Sequence, residues 1–562
     1  MLLASRMAIL IEAQLTRVLQ SVLERMEGSA AAPSGAAMPP VWEIPKDPAF
    51  GDLANSVAFR IASRRKQPPP VIAESLADAL RSALREAGAA PQVDRVEAKA
   101  GFVNVFLSQS ALAGIVQEIL RRGPRYGDQR AGSASSINIE FVSANPTGPL
   151  SVAHGRQAAV GDVLGRLLRS QGHRVTTEYY LNDEGRQIDL LGQSERVRYL
   201  QALGRQEPFP EDGYHGLYVV ESAGRLAKQH GERLADRPAA WFAQQAMAEQ
   251  LADIRRMLSR FGLHFDRWTS QQWLRKSGRI DRSLKTLQQQ GALYDADSAL
   301  WFASTRYGDD KDRVVRKRDG ELTYLAPDIA YHQWKFEQGY DQLVNLWGPD
   351  HHGYIARVKA AMTALGLPAE QLTVRMIQLV TLSRDGKPVP MSKRQGEFVT
   401  FEEIINEVGV DATRFFYLMR TMDSQLGFDL DLAKSQSQEN PVYYIQYAHA
   451  RICSILAKDR RAFWQRRLPR FELLTEPEER LLMRGLFQYP VILRLCAAAM
   501  EPHGLTGYLR KVAEAFHVFY AKHRVIGEDL SLTATRLALV KAARQVLANG
   551  LGMLGITAPR RM

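Results

Sequence analysis

The chain has 562 residues, with 73 Lys and Arg against 61 Asp and Glu, a formal charge of +12 and a pI near 9.5. At roughly 100–200 residues per domain this length means about three or four domains, and 45% hydrophobic with 24% charged residues excludes a disordered or fibrous chain. Only Cys453 and Cys496 occur, with no Cys-x-x-Cys or His-rich cluster, which excludes a disulfide framework or structural zinc site and suits a reducing cytoplasm. The positive surplus points to an anionic partner. No run of ~18–20 uninterrupted apolar residues is present, so membrane insertion is not expected.

Met7 to Met26 places Leu15, Val18, Leu19, Val22 and Leu23 between Glu12, Arg17, Gln20 and Glu24, the spacing of an amphipathic helix rather than a signal peptide. Gly28 to Pro40 reads as a loop, Pro68-Pro69-Pro70 stops one helix, Ile72 to Leu84 spaces another, and Gly101 to Leu107 alternates as a strand. These form a small α/β module over residues 1–120. In the linker at 121–136, Gly, Pro, Ser and charge replace periodicity. Ile137 to Val142 is a short strand, a helix runs from about Gly155 to Ser170, and Arg174 to Tyr180 is the next strand. That is the βαβ pattern of a parallel sheet with a ligand loop at the strand's carboxyl end. A mostly helical insertion, exemplified by Ala239 to Phe261, spans about 186–300 within a sheet domain of residues 137–389. Strands return at Leu343 to Trp347 and Arg375 to Leu382. Beyond about Asp429 the pattern is helical: Tyr508, Val512, Phe516 and Phe519 share a face, as do Leu537, Val540 and Leu547 in a helix expected to end at Gly550 as its C′ cap. Cys453 and Cys496 are expected in helix cores.

The stretch from Glu140 to Arg156 reads Glu-Phe-Val-Ser-Ala-Asn-Pro-Thr-Gly-Pro-Leu-Ser-Val-Ala-His-Gly-Arg. A turn of small residues opens a helix whose free N–H groups and dipole suit a phosphate. An ordinary strand-to-helix turn has the same composition, and there is neither a Walker lysine motif nor a GxGxxG. Further blocks follow it in order: Tyr180-Leu181-Asn182-Asp183-Glu184-Gly185-Arg186-Gln187, Gly213-Tyr214-His215-Gly216, Tyr324-Leu325-Ala326-Pro327-Asp328-Ile329-Ala330-Tyr331-His332, Trp347-Gly348-Pro349-Asp350-His351-His352-Gly353-Tyr354, Asp411-Ala412-Thr413-Arg414 and Asn440-Pro441-Val442-Tyr443-Tyr444. With Lys46-Asp47-Pro48 and Gly51-Asp52 ahead of them, the chain resembles class I aminoacyl-tRNA synthetases, specifically the bacterial arginyl-tRNA synthetases, over nearly its whole length.

The resemblance implies a multidomain α/β protein: an N-terminal tRNA-binding module, a Rossmann-fold catalytic domain with a helical insertion, a signature loop and bridge at 390–430, and an all-α anticodon-binding domain at 431–562. It implies ATP-dependent ligation of L-arginine to its tRNA through an arginyl adenylate, with Mg²⁺ accompanying ATP, by a cytoplasmic monomer. A guanidinium is always charged and carries five donors, so carboxylates and planar acceptors suit it. By motif position Asp328 and Tyr324 would take the guanidinium, Glu140 and Asn145 the other end of arginine, with Asp350 beside them. His154, Ser151 and Lys393 would be catalytic; Ala153, Gly155, Met391, Ser392, Lys393, His351 and His352 would meet ATP. His351, His352 and Asp350 are assigned to a nucleotide-side loop, and no metal site is expected. Arg451, Arg460, Arg461, Trp464, Tyr443 and Tyr447 would bind tRNA, cations on phosphates and rings on unpaired bases.

The ATP signatures depart from the class. Ser151-Val152-Ala153-His154 stands where His-x-Gly-His is usual, and Pro390-Met391-Ser392-Lys393-Arg394 where Lys-Met-Ser-Lys-Ser is usual, with Glu397 just beyond. The Ala153 methyl should crowd an adenine ring, and Ser151 is too short to reach a phosphate. A unit charge lost at ~4 Å is worth up to roughly 4 kcal/mol at an effective dielectric of 20, so slowed ATP activation is expected, with Lys387 or Arg394 as compensating cations. The alternative is an impaired paralogue that binds tRNA or regulates.

Overall fold

The computed structural model describes residues 7–27, 41–129, 134–389, 399–459 and 467–562. The chain opens with α1 (Met7–Glu27), β1 (Leu53–Asn55), α2 (Val57–Arg65), α3 (Pro69–Glu86), β2 (Val93–Lys99), β3 (Phe102–Leu107) and α4 (Gln109–Arg122). The proline triplet does two things: the chain leaves α2 through Lys66 in a left-handed conformation, and Pro69 then opens α3 in its first turn, where a missing N–H costs nothing. β2 and β3 turn through Ala100 and Gly101, both at positive φ, and the antiparallel sheet has the order β1-β3-β2.

Next come β4 (Ser136–Glu140), α5 (Val152–Ser170), β5 (Arg174–Leu181), the insertion helices α6 (Arg186–Ala202), α7 (Leu217–His230) and α8 (Ala239–Arg260), and then β6 (Arg267–Ser270). After α9 (Gln271–Lys276) and α10 (Arg279–Gln289), strands β7 (Leu293–Ala296), β8 (Ala299–Phe302) and β9 (Arg313–Arg316) make a small antiparallel sheet. α11 (Leu325–Glu337), β10 (Gln342–Trp347), α12 (Tyr354–Ala364) and β11 (Leu372–Met376) complete a parallel sheet of order β11-β10-β4-β5-β6. The chain runs outward from β4 through β5 to β6 and returns on the other side as β10 and β11. The switch point therefore lies between β4 and β10, where such sheets leave a crevice at their carboxyl ends. The remaining strands, β12 (Val380–Arg384), β13 (Lys387–Pro388) and β14 (Leu426–Asp429), form a separate sheet, with α13 (Phe401–Val408), α14 (Val410–Leu418) and α15 (Leu430–Lys434) around it.

Two expectations are corrected here. The stretch 186–300 is not wholly an insertion: the helices inserted between β5 and β6 end with α8, β6 joins the main sheet, and α9 and α10 are followed by β7 and β8; strands of four residues carry too little alternation to register against neighbouring helices. The run Arg375 to Leu382 is not one strand, since β11 ends at Met376 in the parallel sheet while β12 pairs with β13 and β14 in another.

The chain closes with α16 (Pro441–Ala457), α17 (Pro477–Ala499), α18 (His503–Lys522) and α19 (Leu530–Met553). Gly550 does not cap α19, which runs on to Met553. A Cβ at Gly550 would stand 2.4 Å from Leu509 Cδ2, so the glycine is there for the close packing of α19 on α18. Cys453 lies half-buried on α16 and Cys496 is buried on α17, neither in a disulfide.

The chain divides into two compact units, one of residues 1–129 with 437–500 and 504–562, the other of residues 130–436 with 501–503. In the first, α17 carries Arg480, Arg484 and Arg494 on one face. Arg480 donates to Leu107 O at 2.8 Å, Arg484 pairs with buried Asp52 and donates to Gly51 O at 2.7 Å, and Arg494 reaches Glu12 and Trp42 O. Asp52 also accepts the Leu107 N–H at 2.7 Å. The Gly51-Asp52 motif is thus the hook by which the N-terminal module is held to the C-terminal helices. Helix α17 is long and apolar enough to cross a membrane, but more than half of its apolar stretch is buried within this unit.

Candidate active site

Strand β4 ends on Glu140, and the chain then turns through Val142 and Ser143 with φ of 69° and 39°. A β-branched residue at positive φ costs about 1–3 kcal/mol and persists only where its surroundings fix it. Ser143 supplies that fixing: its hydroxyl donates to Glu140 Oε1 at 3.1 Å and accepts the Tyr180 N–H of β5 at 3.1 Å. The turn opens onto a cavity of about 510 Å³ at the switch point. Glu140, Asn145, Tyr324, Asp328 and Asp350 all line it, as do His154 and His351. Five residues scattered between positions 140 and 350 are thereby gathered at one site. A wider groove of about 1040 Å³ adjoins it, sharing Asn145, His154, Tyr324 and Asp350, and adding Ser151 and the Tyr214 to Tyr218 segment.

Ala153, Gly155 and His352 lie on the walls of neither cavity. Gly155 lacks a side chain for another reason: a Cβ there would stand 2.5 Å from Phe401 Cδ2 and 2.9 Å from the Tyr417 hydroxyl. Ser151 is the N-cap residue of α5. His154 Nδ1 accepts its backbone N–H at 3.1 Å and lies 3.1 Å from its Oγ, which leaves the imidazole proton on Nε2. The segment after the second signature is stitched to the same place, with Ser151 bridging Thr400 and the Phe401 N–H donating to Leu150 O at 2.8 Å. Arg156, fully buried, donates to the carbonyls of Gln378, Thr421 and Ser424 at 2.8–2.9 Å. Burial lowers it to about 10, so it remains a cation at neutral pH. Met391, Ser392 and Lys393 lie outside the described residues, as does Pro390.

A buried polar chain backs the cavity. Lys335, on α11 with no exposed surface, donates to Glu140 Oε2 at 3.0 Å and to Asn345 Oδ1 at 2.8 Å. The Asn345 amide donates to His332 Nε2 at 2.8 Å, and His332 Nδ1–H donates to Asp328 O at 2.8 Å. Burial, reinforced by Lys335, pushes His332 down to about 4, so it is neutral. Burial drives the Glu140 carboxyl up, but Lys335, His332 and Ser143 together hold it below the usual range. Asp328 is different. Burial raises it to about 7 against the bond from the Tyr354 hydroxyl at 2.6 Å, and Glu140 adds to the rise. Lys335, His332 and Asn345 were not picked out by motif reasoning. Their spacing was only a partial signal: Asp328, His332 and Lys335 recur at four and three residues, which puts them on one face of α11, but Gln333 and Glu337 stand on the same helix.

In the other unit, Tyr443 and Tyr447 of α16 stack at 6.2 Å between ring centroids. Arg451 donates to the Tyr447 hydroxyl at 2.8 Å and lies over the Tyr520 ring of α18. His517 stacks on Tyr447. This is a surface of half-buried rings beside an exposed guanidinium. Arg460, Arg461 and Trp464 lie outside the described residues.

Residues 115–417 match the family described as tRNA synthetases class I (R), catalytic domain. Residues 11–107 match the Arginyl tRNA synthetase N terminal domain, and residues 445–562 the DALR anticodon binding domain. An arginine–tRNA ligase of Geobacillus thermodenitrificans is 42% identical over 558 residues, 98% of this chain and 99% of the relative. One of Geobacillus kaustophilus is 44% identical over 528 residues, 92% and 94% of the two chains. The solved Thermus thermophilus arginyl-tRNA synthetase superposes with a TM-score of 0.77 over 98% of this chain and 100% of its own, at 22% identity, a likeness of fold.

Proposed function

The chain belongs to the arginyl-tRNA synthetase family, class I enzymes that join arginine to its tRNA with ATP as substrate, and on that premise we propose that arginine is held and activated in the cavity between β4 and β10. The expected degeneracy of the ATP signatures is not borne out, and nothing in the matches favours an impaired paralogue. The observation that carries the assignment is the convergence of Glu140 and Asp328 on one cavity with opposite protonation tendencies.

Glu140, ionised, receives the α-ammonium of arginine, with Asn145 beside it. Asp328 receives the guanidinium, while Tyr324, 63% exposed, closes over the mouth. The arginine carboxylate attacks the α-phosphorus of ATP and diphosphate leaves. The terminal 2′-hydroxyl of tRNA then attacks the carbonyl carbon and AMP leaves. No enzyme-bound covalent intermediate is needed, so the protein's part is positioning and charge stabilisation. His154, its proton on Nε2, donates towards the developing charge from the helix N-terminus. Ser151 serves it by holding Nδ1 from the groove wall. Mg²⁺, bound with ATP, would supply neutralisation of phosphate charge. Phosphate oxygens and water suit this hard cation, and exposed Asp350 can accept a bond from its waters. The ring and cation surface of Tyr443, Tyr447 and Arg451 takes unpaired bases and backbone of tRNA. We further propose that the chain works as a cytoplasmic monomer.

Charging of arginine-accepting tRNA with labelled arginine tests the site. Glu140→Gln and Asp328→Asn should each raise the arginine KM by an order of magnitude or more, with the ATP KM little changed. Normal arginine KM values in both variants would place arginine elsewhere.

A further inference from the structure

Burial alone drives a carboxyl group to its neutral form, and Glu140 is only 5% exposed. A neutral Glu140 would be a poor seat for an ammonium. Lys335 stands against that outcome, 3.0 Å from Oε2, and its second bond goes to Asn345 Oδ1. The Asn345 amide is in turn turned by neutral His332, whose other nitrogen is committed to the Asp328 backbone. Lysine does not line the cavity, yet Glu140 does. With one bond to Lys335 and one to Ser143, each carboxylate oxygen keeps a lone pair for a ligand. We infer that Lys335 is a positioning residue for arginine binding: without touching the amino acid it keeps Glu140 an ionised acceptor, and Asn345 and His332 fix the direction of its ammonium group.

The inference rests on the reading of Glu140 as the seat of the α-ammonium. A buried pair kept for stability alone is poorly motivated, since apolar groups of similar volume do as well or better. The titratable groups facing Glu140 are Lys335, His332, Asp328 and Tyr331 from α11, and Tyr180 and Glu178 from β5; β10 brings the uncharged Asn345.

The test is calorimetric titration of arginine into the full chain from about pH 6 to about pH 9, for wild type, Lys335→Met, Glu140→Gln and the double variant, with melting temperatures taken alongside. Glu140→Gln should bind arginine about tenfold or more weakly at every pH. Lys335→Met should be about tenfold or more weaker at low pH, and its affinity relative to wild type should recover as pH rises and Glu140 ionises unaided, as buried glutamates do near pH 8–9. The charge-balanced double variant should match Glu140→Gln. If Lys335→Met does not fold, Lys335→Gln, neutral but still bonding, carries the same pH comparison. A constant ratio to wild type across pH, with Glu140→Gln weak, would overturn the inference and leave Lys335 a purely structural ion. Wild-type binding by Glu140→Gln would instead overturn the reading of Glu140 itself.

Discussion

If Asp328 takes the guanidinium as proposed, then below about pH 7 binding of arginine must expel a proton from it. Burial raises the carboxyl to about 7, and a guanidinium needs the ionised form. Arginine affinity should therefore be flat above pH 7 and fall by about tenfold per unit below it. Calorimetry in buffers of different ionisation enthalpy should show proton release approaching one per arginine below about pH 6 and vanishing well above pH 7. A pH-independent affinity would count against Asp328 as the guanidinium partner. Asp328→Asn should abolish that limb at a cost of about 3 kcal/mol in arginine binding, roughly two orders of magnitude. Asp328 and Glu140 were legible because each sits in a quotable motif. Lys335 was not, because its part depends on β10 lying beside β4, a pairing of strands about 200 residues apart.

Among the elements, α5 carries the most. Its first turn caps itself through Ser151 and His154, its fourth residue, Gly155, faces Phe401, and Arg156 ties it to the carbonyls flanking β12 and β14. Gly155→Ala would put a Cβ 2.5 Å from a Phe401 ring carbon. Overpacking of this kind costs about 1–3 kcal/mol. Because Phe401 anchors the chain just after the second signature, the variant should melt several degrees lower and raise the KM for ATP more than that for arginine in pyrophosphate exchange. An equal rise in both would mean that the strain spreads through the whole domain. Motif position assigned this glycine to ATP and gave no sign of the Phe401 ring packed against it. Gly550 was misplaced by the sequence: a glycine near a helix end looks like a cap, and only the 2.4 Å approach of Leu509 shows that helix packing needs it.

For the molecule as a whole, some of the 73 basic side chains are engaged within the chain. Arg480, Arg484 and Arg494 hold the N-terminal module to α17. Asp52→Leu should cost about 3–5 kcal/mol by stranding Arg484, lower the melting temperature and expose residues 1–107 to limited proteolysis. Asp52→Leu with Arg484→Leu should recover most of the loss, and failure of the pair to recover would mean that Arg484 acts mainly through Gly51 O. Paired with Asp52 and Glu12, Arg484 and Arg494 leave the net +12 intact, and a tRNA ligand would meet it. Affinity for tRNA should drop by an order of magnitude or more between about 50 and 200 mM salt, while arginine affinity, set by buried groups, should change little.

The amino-acid sequence by itself determined the family, the reaction, the substrates arginine, ATP and tRNA, the parallel-sheet architecture with its terminal helical domain, and the two carboxylates at the site, because motifs record which side chains a chemistry requires. Tertiary structure alone decided which of those residues share a cavity, that β6 completes the sheet, that Gly51-Asp52 serves as an internal hook, and that Lys335 sets the charge of Glu140. Each of these turns on burial and on neighbours distant in sequence, quantities that exist only once the chain has closed on itself. The basic side chains that first pointed to an anionic partner are thus two populations, one holding the protein together and one left for nucleic acid.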